Sequence, residues 1–337
     1  MVTQTARVEG LNGEVQEVRL RMPLSLALAS NRMRFCMRVQ RAVANRPRLS
    51  DVILAKNNEN DEVHNQAFGD LSRSSRNTVN RIKGNSKSCT RFSMCRADAD
   101  PFSDLALELI GKYMASNTRL KDIGFGGLRM DNSRMKLLFQ GLTGSKSVES
   151  LSFYIRGVDR EVVFGADAIS DMVPFLKNAP NLSYISLSGN EILTEGFELL
   201  VNALDGGSIT QLLLDECKID DISALERCTL PRLFMLHLSE NCITSIPSLK
   251  NHTSLRWLTL SNNKIEKPIL GDTGSLDHIC LDGNGINDED VEVLVDSLQH
   301  NTSLHILSLE NNPSLVPCSV YSIMFRLLVV LLNRIIL

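Results

Sequence analysis

Residues 182–190 read LSYISLSGN, and the same frame returns as ITQLLLDEC at 209–217, LFMLHLSEN at 233–241 and LRWLTLSNN at 255–263. It returns again as LDHICLDGN at 276–284 and LHILSLENN at 304–312. Each nonamer carries an aliphatic residue at its first, fourth and sixth places and Asn, or once Cys, at its ninth. Five of the six are followed two residues later by Ile, at 192, 219, 243, 265 and 286. Successive copies of one frame mark a repeat architecture, in which each unit buries its apolar side only against its neighbours.

The places within the frame have separate physical roles. The fourth and sixth alternate with period two, which predicts a short strand with one face buried. Strands of successive repeats then pair in parallel on the concave side of a curved stack. The ninth residue leaves the strand, and a buried amide there can satisfy backbone groups of adjacent turns that would be costly to leave unpaired. Asn190, Cys217, Asn241, Asn263, Asn284 and Asn312 form this expected ladder.

Looser copies precede these. Leu120-Ile123-Phe125 and Val148-Leu151-Phe153 keep the apolar triplet, but Leu128 and Arg156 replace the Asn. Upstream, Leu49-Val52-Leu54-Asn57 fits the whole frame, while Val15-Val18-Leu20 and Cys89-Phe92-Met94 fit part of it. Short triplets of this kind also arise by chance.

From Leu120 onward the repeats start 28, 34, 27, 24, 22, 21 and 28 residues apart. The longer ones have room for a helix, and their apolar residues are spaced by three and four. Such sets are Leu107, Ile110 and Met114; Ile169, Val173 and Leu176; Phe197, Leu200 and Leu204; and Val291, Leu294 and Leu298. The repeats between Ile209 and Leu276 are too short for this, and Pro247 and Pro268 predict extended or 3-10 connections.

The pattern resembles the leucine-rich-repeat family. The long repeats, as in Leu182 to Leu204 with Gly196 opening the helix, look like the ribonuclease-inhibitor-like class, and the middle ones like shorter classes. The resemblance implies an α/β solenoid or horseshoe, with a concave parallel sheet and convex helices or short 3-10 connections. The solenoid is expected over residues 104–313. Residues 1–57 form a basic segment that would hold degenerate early repeats, and residues 58–103, rich in Asn, Ser, Arg and Asp, read as an insertion or linker. The apolar run at 314–337 reads as a C-terminal cap or a truncated repeat, since a solenoid must cover its last core.

Charge is divided unevenly along the chain. Residues 1–96 hold 17 Lys/Arg against 8 Asp/Glu, whereas residues 97–337 hold 19 against 31. The basic stretch lacks interleaved aromatics and any recognised nucleic-acid-binding module, so nucleic acid is not the expected partner. The eight cysteines include no CxxC pair and no accompanying His cluster, so neither a zinc site nor a thioredoxin-like motif is expected, and several fall at buried repeat positions. A reducing, cytoplasmic setting follows. The short apolar stretch at 22–30 begins too late for a secretory signal, and the C-terminal run is interrupted by Arg326, Asn333 and Arg334, so no membrane span is expected. Sequons begin at Asn181, Asn251 and Asn301, where an Asn would end the preceding segment by adopting a left-handed conformation.

The third, fifth and seventh places of each nonamer face outward on the sheet. Across adjacent rungs they bring together Tyr184, Leu213, Met235, His237, Trp257 and His278. Beside them run Asp215, Glu216, Glu240, Asp282 and Glu310. Aromatic anchors with a polar surround are the material of protein-binding hot spots. Tyr184, Leu213, Asp215, Met235, His237, Trp257, His278 and Asp282 are therefore the candidate partner-binding residues, for a protein with a basic rim and an apolar protrusion. No nucleophile-and-base set, P-loop or metal-binding spacing occurs, so no catalysis, small-molecule substrate, metal or cofactor is expected. The resemblance also implies a second role. Some ribonuclease-inhibitor-like proteins activate the GTPase Ran through loops at the horseshoe edge, and the apolar C-terminal run adds the alternative of a sensor fragment of a larger receptor.

Overall fold

The computed structural model describes residues 2–9, 15–22, 58–69, 71, 73–95, 102–126, 130–154, 164–270, 275–298 and 303–312. The chain divides into two units, Met1–Asn57 and Asn58–Leu337.

In the first unit, β1 (Val2–Glu9) pairs antiparallel with β2 (Val15–Met22), Val2 opposite Met22 and Glu9 opposite Val15. Val15, Val18 and Leu20 are therefore part of a two-stranded antiparallel pair and not of a repeat strand, which needs parallel neighbours. The triplet at Leu49–Asn57 lies outside the described residues, as do the apolar runs at 22–30 (apart from Met22) and 314–337.

The second unit is a leucine-rich-repeat solenoid. Nine strands form one open parallel sheet in chain order: β3 (Arg91–Cys95), β4 (Asp122–Gly126), β5 (Ser150–Tyr154), β6 (Tyr184–Ser186), β7 (Gln211–Leu213), β8 (Met235–His237), β9 (Trp257–Thr259), β10 (His278–Cys280) and β11 (Ile306–Ser308). Their register is unbroken, so Tyr184, Gln211, Met235, Trp257, His278 and Ile306 form one row across the sheet. The alternate residues Ile185, Leu212, Leu236, Leu258 and Ile279 are completely buried on the other face.

Amphipathic helices pack into that buried face. They are α3 (Asp104–Ser116), α4 (Asn132–Leu142), α5 (Ala166–Asn178), α6 (Leu193–Ala203) and α7 (Asp288–Ser297). Ser103 and Asp131 start α3 and α4 by accepting hydrogen bonds from the backbone N–H of Ala106 and Arg134. Between β7 and β8 the helix shrinks to a 3-10 turn, Ser223–Glu226, as the shorter spacing requires. His252 closes the same side of the next repeat: Leu230 N–H donates to its Nδ1 at 3.3 Å, and its Nε2 lies 2.9 Å from the Leu225 carbonyl. Upstream, Phe enters the core, and Phe92, Phe125 and Phe153 form a continuous aromatic row, the first pair tilted at 5.3 Å and the second stacked at 5.0 Å.

Residues 58–95 are not a linker. They form α1 (Asn58–Phe68), α2 (Arg73–Lys83) and β3, the first strand of the sheet. Their apolar residues are few but well placed, and Phe68, Leu71, Val79, Ile82, Cys89, Phe92 and Met94 are all buried in the common core. His64 joins α1 to its neighbours, with Nε2 2.7 Å from Asn80 Oδ1 and Nδ1 3.2 Å from the Tyr113 hydroxyl.

The ladder side chains are almost wholly buried and span consecutive turns. Asn263 Nδ2 donates to the carbonyls of Leu238 and Leu260, both at 2.9 Å, while its Oδ1 accepts from Ile243 N–H at 3.0 Å. Asn241, Asn284 and Asn312 repeat this arrangement, and Asn190 donates to Phe153 and Leu187. Cys217 substitutes one weak donor, its Sγ lying 3.5 Å from the Leu187 carbonyl, and burial pushes its thiol pKa up to about 12.

The residue before each ladder position is left-handed: Gly189, Glu216, Glu240, Asn262, Gly283 and Asn311 all have φ between 55° and 84°. The sequon residues Asn181 and Asn251 are not. Their side chains donate instead to the Lys146 and Glu226 carbonyls, which ties one repeat to the previous one. Asn301 lies outside the described residues.

Candidate functional site

Because side chains alternate across a strand, the register that buries Leu212, Leu236, Leu258 and Ile279 puts their neighbours on the opposite, helix-free face. Tyr184, Met235, Trp257 and His278 occupy its first row, and Leu213 and His237 the second, level with Thr259 and Cys280. Asp215 and Asp282 follow at the carboxyl ends of their strands. All eight candidate residues are half-buried, shielded by neighbours on adjacent rungs but reachable from outside.

The first row is pre-arranged by stacking. The Trp257 and His278 rings lie 4.2 Å apart between centroids and 13° from parallel. This fixes two large side chains before any partner arrives and reduces the entropy lost on binding. His278 Nδ1 is 2.9 Å from Asp277 Oδ2 without the alignment of a hydrogen bond. The same carboxylate contacts His305 Nδ1 through Oδ1.

Two carboxylates are held firmly at the strand ends. Asp215 Oδ1 accepts from Ser239 N–H at 2.8 Å, and Oδ2 lies 3.8 Å from His237 Nδ1. Burial pushes the Asp215 carboxyl above its ordinary range, opposed by His237 and the Ser239 N–H. Burial likewise pulls the His237 imidazole below its ordinary range, opposed by Asp215. Each group is thus held where its charged form is disfavoured, a pattern associated with functional sites as well as with structural ion pairs. Asp282 Oδ1 accepts from Ser308 Oγ at 2.5 Å and from Glu310 N–H at 2.8 Å.

Some contributors were hidden at the level of sequence. Asp277 precedes its strand, and its link to His305 crosses a repeat boundary, so no local pattern announces it. Ile306 continues the first row and is 48% exposed, and Phe234 stands exposed at the amino edge of β8. Ile306 is legible in the repeat frame once the outward row is read to its end, whereas Phe234, at the second place, lies outside that row.

The cysteines nearest the site are not activated. Burial, then the Asp282 carboxylate, raises the Cys280 thiol above its ordinary value. Among the described residues, no group of three or more His, Cys, Asp or Glu is arranged to hold a metal ion. Among the same residues, no helix is long and apolar enough to cross a membrane.

Residues 207–265 match the family model described as leucine rich repeat. The nine-strand parallel sheet and the Asn ladder that runs through this stretch have the α/β solenoid architecture of leucine-rich repeats. No curated protein sequence matches it. Among solved structures, it is similar to the TLR13–ssRNA13 complex, with 18% identity and a TM-score of 0.43 over 58% of this chain. The match covers 26% of that structure's chain, so this protein spans about a quarter of its length. A second similar structure, leiomodin-1 actin-binding site 2, has 10% identity and a TM-score of 0.28, covering 77% of this chain and 90% of that one.

Proposed function

We propose that the protein is a non-catalytic scaffold that binds a protein partner on the helix-free, concave face of its sheet. The observation that carries this reading is the stacked Trp257–His278 pair, continuous with Met235 and bordered by Asp215, His237 and Asp282. Rigid aromatic groups beside fixed charges give affinity from the former and orientation from the latter. Tyr184 and Leu213 extend the apolar area toward β6 and β7. The partner presents an apolar protrusion with a basic rim, and no cofactor or small-molecule substrate takes part. The helices behind the long repeats favour a ribonuclease-inhibitor-like arrangement for that part of the stack. The cysteines suit a reducing, cytoplasmic setting.

A photo-reactive benzophenone amino acid tests the site directly. Placed at Met235 it should crosslink the partner in lysate, whereas at Leu199, exposed on α6, it should not. Crosslinking from Leu199 alone would move the binding site to the helical side.

A further inference from the structure

The carboxylates of this face differ from those elsewhere in the solenoid. Upstream and on the flanks, neighbouring repeats neutralise one another: Arg91 with Asp122 at 3.2 Å, Lys121 with Glu149 at 2.6 Å, Arg227 with Glu198 at 2.6 Å, and Lys218 with Glu191. At the carboxyl ends of β7 to β11, none of Asp215, Glu240, Asp282 and Glu310 pairs with a lysine or arginine among the described residues. Arg256, just before β9, is turned to the backbone and donates to the carbonyls of Thr253 and Ser275. An apolar row on β6 to β10 and a row of carboxylates unpaired with lysine or arginine, on β7, β8, β10 and β11, therefore run side by side.

The dimensions of this strip match one kind of ligand. From the third to the seventh place of a rung is four residues, about 13 Å at strand spacing. An α-helix with its side chains is about 10–12 Å across. Five strands, β6 to β10, span about 19 Å at the usual inter-strand distance, the length of about 13 helical residues. Successive turns of a helix laid across the strands advance about 5.4 Å, close to the rung spacing, so each turn meets about one rung.

Resting on the reading of this face as the binding surface, we propose that its occupant is a cationic amphipathic α-helix of the partner protein, lying across β6 to β10. Its apolar stripe packs on Tyr184, Met235, Trp257 and His278, and its lysine or arginine flank faces Asp215, Glu240 and Asp282. A nucleic-acid strand is disfavoured because the acidic row repels phosphates. An extended peptide is the competing occupant, since it covers only one strand's width.

Three synthetic 14-residue peptides test this against the full chain by fluorescence anisotropy. The first is a hydrocarbon-stapled Leu/Lys peptide with leucines at helical spacing. The second has the same composition with Leu and Lys strictly alternating, and the third is the stapled peptide with Glu in place of Lys. The stapled Leu/Lys peptide should bind at least tenfold more tightly than the alternating one, and the Glu peptide should not bind. Its affinity should fall at least tenfold in Trp257→Ala and in Glu240→Gln/Asp282→Asn, both checked for unchanged melting temperature. Preference for the alternating peptide, with the same dependence on these variants, would overturn the helix while leaving the binding face in place. Binding indifferent to both variants would overturn the helix and the face together. No binding of the stapled peptide would also overturn the helix, and the crosslink at Met235 then decides the face separately.

Discussion

The indole of Trp257 and the imidazole of His278, one repeat apart, lie face to face at 4.2 Å on the outside of the sheet. One residue along the strand from Trp257, Leu258 points into the core and is completely buried. Two adjacent residues thus have opposite tasks. Trp257→Ala should cost about 1–2 kcal/mol, the value of a stacked pair and partial burial. Leu258→Ala should cost about 2–5 kcal/mol through transfer and cavity terms. Urea unfolding of the two variants measures the difference, and equal losses would place Trp257 in the core.

Asn263 ties its own repeat to the one before it through a single amide. Asn263→Ala leaves the Ile243 N–H without its partner in a region closed to water, while the Leu238 and Leu260 carbonyls each lose one of two amide donors and keep Asn241 and Asn284. The expected loss is about 1–3 kcal/mol, the cost of a buried donor left unsatisfied. Denaturant midpoints read this loss, and one below about 0.5 kcal/mol would mean the ladder is ornamental.

Glu240 carries φ 57° at a place that Gly and Asn fill in four of the six rungs. A left-handed conformation costs an L-residue about 1–2 kcal/mol, of which Gly returns part through the greater entropy of its unfolded chain. Glu240→Gly should therefore be neutral or stabilising by up to about 1 kcal/mol, and Glu240→Val destabilising by about 1–2 kcal/mol. Thermal melts rank the three proteins. Val ranking above Gly would contradict the left-handed geometry.

His252 is completely buried and its imidazole pKa is pulled down by burial, opposed by its contact with the Leu225 carbonyl. The unfolded chain takes up a proton near the ordinary histidine value, about 6.5, while the folded chain resists it to lower pH. Its stabilising contribution is thus intact above that value and is lost as pH falls toward the lowered folded-state pKa. His237 acts in the same direction. Unfolding free energy measured from pH 7.5 to 5 should fall more steeply in the wild type than in His252→Leu, by at most about 1.4 kcal/mol per pH unit for this histidine. Parallel curves would show that His252 is protonated equally in both states.

Helices α3 and α4 touch through glycines. A Cβ on Gly111 would lie 2.3 Å from the Leu138 carbonyl oxygen, whereas one on Gly144 meets nothing within 4 Å. Gly111→Ala should destabilise by about 2 kcal/mol or more, and Gly144→Ala should change little. A tolerated Gly111→Ala would mean the two helices can separate without cost.

The rungs from Leu182 to Asn312 were legible because each nonamer states strand, core face and ladder residue together. The degenerate ones were harder, since Phe125 and Phe153 fill the core while the Asn is missing. Helix α4 carries a helical spacing at Met135, Leu138, Phe139 and Leu142 that is legible in the sequence. The helices at 58–83 were not readable, because Phe68, Val79 and Ile82 supply only about one large buried anchor per two turns in a polar background. In the candidate site, alternation placed Tyr184, Met235, Trp257 and His278 in one outward row. What alternation cannot express is pairing between side chains of different rungs. Asp277 with His278 and His305, and Asp215 with His237, depend on the register of the folded sheet. The left-handed column was hidden because Glu216 and Glu240 interrupt its Gly and Asn.

The central claim is that the helix-free face binds a protein. Its most direct test is a paired pull-down from lysate with wild type and Tyr184→Ala/Trp257→Ala, both first shown equally folded by circular dichroism. The account predicts at least one protein recovered by wild type and lost with the double variant. Identical recovery by the two baits would contradict it and leave the outward row as strand propensity alone.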